Sequence, residues 1–425
     1  MGSLSSPSCL TPYQVLSKYK KFPSPDEEFW WDHAASTLAD FIKWTKATPD
    51  QQYEFLQFFY EHVIPNFSWY RPYDVPGRAW NTGITPSGLP LEYSINWRNI
   101  DANAMVRVGV EPISQFAGTA RDPYSHYKIW DTLNQLSQVK ALKSFDLELW
   151  RHFSSALCTS REEEAFLDQT RTLPESFSIA KMQHSMGFDF CDDEVIVKIY
   201  LIPNMKARAS GTPLKELLTG SIHAIYRDTI DRETLATVIN YLDSTSNFND
   251  ATWFSFDCIP RSQSRIKIYG SDFHTTWGRA EDLWTVGGRY TDAVTMKGLA
   301  YLKELWDLLP IQNFETLPEQ AVQNPPMLWA YEIRPGDKVP SPRIYIPGHC
   351  LNDKKVADGL SAFFKRVGWS DLGDQYTDRL FSMFPKQDPK DSTTLHTWIA
   401  FSYTEKSGVY VNCYYLASAS FPFKL

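Results

Sequence analysis

No apolar run in this sequence approaches the ~20 residues a helix needs to cross a bilayer, so a membrane-spanning chain is not expected. Like charges never gather into a block, and a net charge of -8 offers no basic face to a phosphate backbone, which excludes a nucleic-acid partner. The six cysteines (Cys9, Cys158, Cys191, Cys258, Cys350, Cys413) are scattered, with no C-x-x-C pair and no signal peptide. They read as small hydrophobes in a reduced, cytoplasmic protein. The nine histidines lack metal-ligand spacing, and no G-x-S-x-G, P-loop or G-x-G-x-x-G occurs, which removes the common hydrolase, phosphotransferase and dinucleotide readings. Asp228-Thr-Ile-Asp231 has the carboxylate spacing of a magnesium site, but it falls where a helix-start cap is expected, and this argues against a terpene-synthase centre. Met1-Gly2-Ser3-Leu4-Ser5-Ser6 formally fits a myristoylation signal, although a flexible Ser-rich leader over residues 1–25 accounts for it better.

What the chain does have is rings. Aromatic residues make up 15% of it, with 15 Trp, 22 Tyr and 26 Phe, which suits a site walled by aromatic faces. The hydrophobic period also alternates along the chain. Asp26 to Thr45 and Pro49 to Ile64 carry apolar residues at helical spacing, whereas Leu91-Glu92-Tyr93-Ser94-Ile95-Asn96-Trp97 alternates strictly and is followed by Val106 to Val110, a strand-pair signature. A helical stretch is expected from Ser125 to Ser155. Further strand pairs are expected at 178–190 with 194–202, 252–257 with 264–269, 327–334 with 342–346, and 396–403 with 409–415. Helical patterns such as Asp231 to Asp243, Thr291 to Leu309 and Lys354 to Val367 lie between them. Five strand pairs in one repeated αα-ββ plan predict an α+β fold, a ten-stranded antiparallel closed barrel ringed by helices and forming a single domain over residues 26–425.

The second strand of each pair repeats one arrangement. Val197-Lys198-Ile199-Tyr200-Leu201 sets aliphatic residues on one face and Lys and Tyr on the other; Arg265-Ile266-Lys267-Ile268-Tyr269 and Arg343-Ile344-Tyr345-Ile346 do the same, and Arg107 stands between Val106 and Val108. The last strand offers Tyr410, Asn412 and Tyr414 on one face. For a single strand this would describe a half-solvated sheet. Repeated around a closed barrel with helices outside, it points the cations inward, where unpaired charges are costly and an anion belongs. Tyrosines in the same rows can donate hydrogen bonds to that anion and present ring faces to a cation. An anion beside rings that favour a cation is the requirement of allylic diphosphate ionisation. Glu92 shares its strand face with Ser94 and Asn96. A carboxylate there can accept a proton from an indole N–H or a phenol; its alternative role is to pair with a neighbouring cation such as Arg107.

Pro90-Leu91-Glu92-Tyr93-Ser94, Lys198-Ile199-Tyr200, Arg265 to Tyr269, and Tyr410 with Tyr414, taken in that order, resemble the fungal dimethylallyltryptophan synthase family of aromatic prenyltransferases from about Trp80 onward. The resemblance implies the prenyltransferase barrel and an acceptor-activating carboxylate at Glu92. It also implies diphosphate contacts from Arg107, Lys198, Arg265 and Lys267, to which the strand pattern adds Arg343, with a tyrosine shield of Tyr200, Tyr269, Tyr345, Tyr410 and Tyr414. The acceptor pocket expected from it includes Ile84, Glu92, Gln183, Ser185, Thr252 and Trp398. Members acting on free tryptophan carry a lysine where this chain reads Gln183-His184-Ser185 and an arginine about where Thr252 stands, and Arg343 replaces a frequent glutamine. The partners implied are a prenyl diphosphate donor, dimethylallyl or longer, and a neutral tryptophan-derived or polycyclic aromatic acceptor. No cofactor is expected and magnesium is not essential; a homodimer is compatible with these features. The other reading kept open is a non-enzymatic barrel that carries an isoprenoid or aromatic ligand.

Overall fold

The structure is a computed structural model that describes the 425-residue chain apart from residues 1–9, 68–79, 81, 86, 99–102, 171–180, 192–193, 228, 246–247, 249–251, 273, 312–326, 350 and 421–425. Among the described residues, four α-helices precede the first strand: α1 (Pro12–Tyr19), α2 (Pro25–Trp30), α3 (Ser36–Trp44) and α4 (Pro49–Phe58). Strands β1 (Leu91–Arg98) and β2 (Asn103–Val110) are followed by α5 (Tyr127–Leu136), α6 (Glu148–Leu157) and α7 (Arg161–Thr170). Then come β3 (His184–Phe190) and β4 (Val195–Leu201), α8 (Asn204–Ser210), α9 (Leu214–Tyr226) and α10 (Arg232–Asp243), and β5 (Phe254–Asp257) with β6 (Ile266–Asp272). The chain continues with α11 (Trp277–Trp284), α12 (Ala293–Leu308), β7 (Met327–Ile333), β8 (Ser341–Pro347), α13 (Asp353–Arg366) and α14 (Ser370–Met383), and ends in β9 (His396–Thr404) and β10 (Gly408–Tyr415).

Each strand pairs antiparallel with its neighbours in sequence, and β10 closes on β1, so the ten strands make a barrel without an edge. Closure divides the side chains of every strand into two sets. The outer set is apolar and lies under the helices: Phe254 and Phe256 pack on Phe153 of α6 at ring separations of 4.7 and 5.2 Å, and Phe401 packs on Trp284 of α11 at 5.7 Å. Polar tips on this side find backbone partners. The Tyr93 hydroxyl donates to the Ala34 carbonyl at 3.1 Å and that of Tyr331 to the Leu283 carbonyl at 2.6 Å. The inner set builds the lumen.

Two sequence expectations change. The stretch from Ser125 to Ser155 is two helices, α5 and α6, because the segment between them is tied to the barrel: Ser144 bonds the Glu194 carboxylate through its amide at 3.2 Å and through its hydroxyl, and Asp146 N–H donates to the Cys258 carbonyl at 2.9 Å. Part of the expected leader is helical, since Thr11 and Gln14 form a capping box at the start of α1. Asp231 caps α10, accepting from Thr234 N–H at 3.0 Å, and also pairs with Lys338; Asp228, Cys9, Cys350 and the Met1–Ser6 signal lie outside the described residues. No helix among the described residues is long and apolar enough to cross a membrane.

Candidate active site

The lumen has two levels, and strand geometry sets their separation. Lys198 and Tyr200, Lys267 and Tyr269, and Arg343 and Tyr345 are each two residues apart on one inward face, so the charged level and the ring level lie about 7 Å apart along the strands.

The ring level surrounds a cavity. Tyr200, Tyr269, Tyr345 and Tyr414 line it, with successive ring centroids 6.3, 6.0 and 6.1 Å apart, and Trp253 extends the series at 6.3 Å from Tyr200. Burial pushes the Tyr200, Tyr269 and Tyr414 phenols above their ordinary range, so these are neutral hydroxyls on π-faces. Gly187 leaves room for this wall, because a Cβ there would sit 3.3 Å from the Tyr200 ring. Ile84, Ser185, Leu328 and Trp398 complete the side where an acceptor would lie, and Glu92 reaches the same cavity from β1. Burial raises the Glu92 carboxyl to about 8, against the Thr397 hydroxyl, which donates to its Oε2 at 3.3 Å, and the Arg107 charge, both of which lower it.

The charged level corrects one expectation. The five cations are not left unpaired: three carboxylates that the sequence reading passed over stand among them. Asp189 lies directly across from Arg107, Asp257 from Lys198 and Glu332 from Lys267 in the strand registers. The Asp189 carboxylate takes both Nε and Nη2 of Arg107, the latter at 2.9 Å, and lies 3.0 Å from the Lys198 amine. Lys198 is 2.7 Å from Asp257, which meets Arg265 at 3.1 Å. Arg265 reaches Glu332 at 2.9 Å, and Lys267 and Arg343 face the same Glu332 oxygen at 3.5 and 3.9 Å. Burial would raise Asp189 and Glu332, but the flanking cations outweigh it and hold both well below the usual carboxylate range.

Positive charge is in excess: five lumen cations face three carboxylates, and Arg334 lies 2.7 Å from the other oxygen of Glu332. The excess is concentrated at Lys267, whose amine is drawn well below its ordinary value by burial, then by the Arg343 and Arg265 charges. Arg343 also rests over the Tyr410 ring at 4.3 Å and donates to its hydroxyl at 3.5 Å. Burial would raise the Tyr410 phenol, but the Arg343 and Arg107 charges bring it below its ordinary value. Arg107 is paired by Asp189, which leaves the Glu92 carboxyl outside the ion-pair chain.

Two expected acceptor contacts are corrected. Gln183 precedes β3 and does not line the cavity; its side chain accepts from the Thr159 amide at 2.8 Å and donates to the Thr159 hydroxyl at 2.6 Å. Thr252 shares strand parity with Phe254 and Phe256 on the outer face, and its hydroxyl is spent on the Phe248 carbonyl. Trp253, on the inner parity, takes the place expected of it. Of the cations, only Arg107 lines the cavity itself; Lys198, Arg265, Lys267 and Arg343 lie at the deeper level with Tyr410.

A closed barrel with a cationic belt below a ring-lined chamber is the architecture of a prenyltransferase. Comparison with known proteins agrees. Residues 26–379 match the family described as tryptophan dimethylallyltransferase. The aromatic prenyl transferases PC-22 of Penicillium crustosum and ptmE of Penicillium ochrochloron are each 96% identical to this chain over 425 residues, covering 100% of both partners. The crystal structure of NotF in complex with brevianamide F and DMSPP superposes with a TM-score of 0.85 at 33% identity, covering 97% of this chain and 100% of that one. The chain therefore belongs to the tryptophan dimethylallyltransferase family and is an aromatic prenyltransferase, and the carrier reading falls away.

Proposed function

We propose that this enzyme transfers a dimethylallyl group, or a longer prenyl group, from its diphosphate to an indole of a neutral tryptophan-derived acceptor. The observation that carries this reading is the two-level lumen, with a belt in which cations outnumber carboxylates one strand repeat from a chamber of rings whose described lining includes the Glu92 carboxyl. Arg107, Lys198, Arg265, Lys267 and Arg343 neutralise the diphosphate as the C–O bond breaks and both electrons leave with it. The allyl cation is held between the faces of Tyr200, Tyr269, Tyr345 and Tyr414, which also exclude water. A ring carbon of the acceptor supplies the electron pair for the new C–C bond, and the proton the acceptor loses passes to the ionised form of Glu92, so the rate rises with pH toward about 8.

The acceptor class follows from the cavity wall. Ile84, Ser185, Trp253, Leu328 and Trp398 offer apolar area and one hydroxyl, and the single cation on the lining among the described residues, Arg107, is already engaged by Asp189. A free amino-acid carboxylate would be buried there without a dedicated partner, whereas a neutral indole derivative would not. Side-chain cations perform the charge neutralisation in this scheme. The test is product formation from dimethylallyl diphosphate with free tryptophan, brevianamide F and a polyphenol, each with and without EDTA. Brevianamide F is expected to give the highest kcat/KM and the chelator to leave product formation intact. A preference for free tryptophan overturns the acceptor assignment, and loss in EDTA restored by magnesium overturns the role of the belt.

A further inference from the structure

The register between β9 and β10 slips once. Tyr414 opposes Trp398, but the next residue, Tyr415, opposes His396, which leaves Thr397 as the extra residue of a β-bulge. The slip matters because Thr397 would otherwise follow strict alternation and point out toward the helices, away from Trp398 and the cavity. The bulge instead turns its hydroxyl to Glu92 Oε2 at 3.3 Å, its one hydrogen bond among the described residues.

Both flanks of the bulge are fixed. The Thr397 carbonyl accepts from Gly348 N–H at 3.0 Å, from His349 N–H at 3.3 Å, and faces His349 Nδ1 at 3.2 Å. Position 348 has to be glycine for this approach, since a Cβ would lie 2.8 Å from the His396 Cβ and 2.9 Å from its carbonyl oxygen. On the other side, the fully buried Asp353 takes the amides of Thr394, Leu395 and His396 at 2.9 to 3.0 Å and lies 3.0 Å from His396 Nδ1. His396 in turn meets the Tyr376 hydroxyl at 3.1 Å, and Tyr376 meets Tyr415 at 2.7 Å. These contacts hold the backbone on both sides of the bulge, and the Thr397 hydroxyl is the group it turns toward Glu92, which lines the cavity.

We propose that Thr397 is a positioning residue for Glu92: the bulge exists to deliver one hydroxyl donor that orients the carboxylate and favours its ionised, proton-accepting form. This rests on Glu92 being the base. Oε2 is occupied by the hydroxyl, which leaves Oε1 to face the acceptor. The other charged or titratable groups near Glu92 are Arg107 from β2, Tyr200 from β4, Tyr269 from β6, Tyr345 from β8 and Tyr414 from β10, with His349 behind Thr397. Burial drives His349 below its ordinary value, so it is a neutral ring at pH 7 and adds no charge to compete with the hydroxyl.

The experiment compares Thr397→Val, which keeps the shape and removes the donor, with Thr397→Ser, which keeps the donor, measuring kcat, KM for both substrates and the pH dependence of kcat/KM. A hydrogen bond to a charged acceptor is worth roughly 10- to 100-fold. The valine variant is therefore expected to lose about that factor in kcat at pH 7, with the acid limb of its pH profile moved to higher pH, while the serine variant retains the wild-type limb. Melting temperatures of the two variants are expected to agree, which separates the effect from folding. A valine variant with the wild-type limb, or a serine variant no better than valine, overturns the proposal while Glu92→Gln remains inactive. An active Glu92→Gln enzyme overturns the base assignment itself.

Discussion

Replacing Asp189 by asparagine should make the enzyme less stable and its diphosphate site stronger. In the wild-type protein Asp189 engages Arg107 at two nitrogens and Lys198 at 3.0 Å, and all three are buried. The neutral amide leaves Arg107 without a carboxylate and Lys198 with Asp257 alone, and breaking a buried pair in this way costs about 3–5 kcal/mol. The belt gains one unit of positive charge. An anion seated against those cations lies roughly 7 Å from the position of the lost charge, where one unit of repulsion at an effective dielectric of about 20 amounts to about 2 kcal/mol, or about 30-fold in Kd. Thermal unfolding and calorimetric titration with inorganic diphosphate report both quantities. The expected result is a lower melting temperature without ligand, tighter diphosphate binding and a larger ligand-induced rise in melting temperature than in wild type. Weaker diphosphate binding in the variant would refute the electrostatic account, because it would mean that the carboxylate serves the anion more by arranging the cations than it opposes it by charge.

Further outcomes follow from the same geometry. Glu92 titrates at about 8 when folded and near 4.3 in the unfolded chain, so the folded state holds the extra proton between those values and wild-type stability falls as pH rises through that window. Glu92→Gln removes this penalty, so its stability advantage should grow from pH 5 to pH 8 toward roughly 3–5 kcal/mol; parallel denaturation curves across that range would show that the carboxyl is not buried as described. Lys267→Ala and Lys198→Ala should both raise KM for the donor more than for the acceptor but move stability in opposite directions. Lys267 lies 3.5 Å from a carboxylate it shares, and burial with the Arg343 and Arg265 charges already disfavours its charged form, whereas losing Lys198 strips a partner from both Asp189 and Asp257. Equal melting shifts of the same sign would contradict the charge distribution in the belt.

The strand pairs were legible because a period of two survives wherever helices cover one face, and Lys198, Tyr200, Lys267, Tyr269, Arg343 and Tyr345 declare the lumen through that period. Asp189, Asp257 and Glu332 were not seen, although they stand in the first strands at inward parity. The signal for them was available: laying the second strand of each pair antiparallel to the first strand of the next sets each acid opposite a cation, so reading across neighbouring pairs would have found the belt. Gln183 and Thr252 were misplaced because they were carried over from the resemblance: Gln183 precedes β3 and is held by Thr159, and Thr252 has the outward parity of Phe254 and is held by the Phe248 carbonyl. Thr397 could not be assigned from sequence, since a bulge is a property of pairing and leaves no mark in the hydrophobic pattern.

The central claim is that Glu92 takes the acceptor proton while the belt handles the diphosphate, and it is tested most directly by single-turnover prenyl transfer in wild type and Glu92→Gln, with the Kd for inorganic diphosphate measured on both. The account predicts a fall of about 100-fold or more in the rate of product formation with the diphosphate Kd unchanged within about 3-fold. A Glu92→Gln enzyme that forms product at the wild-type rate would contradict it.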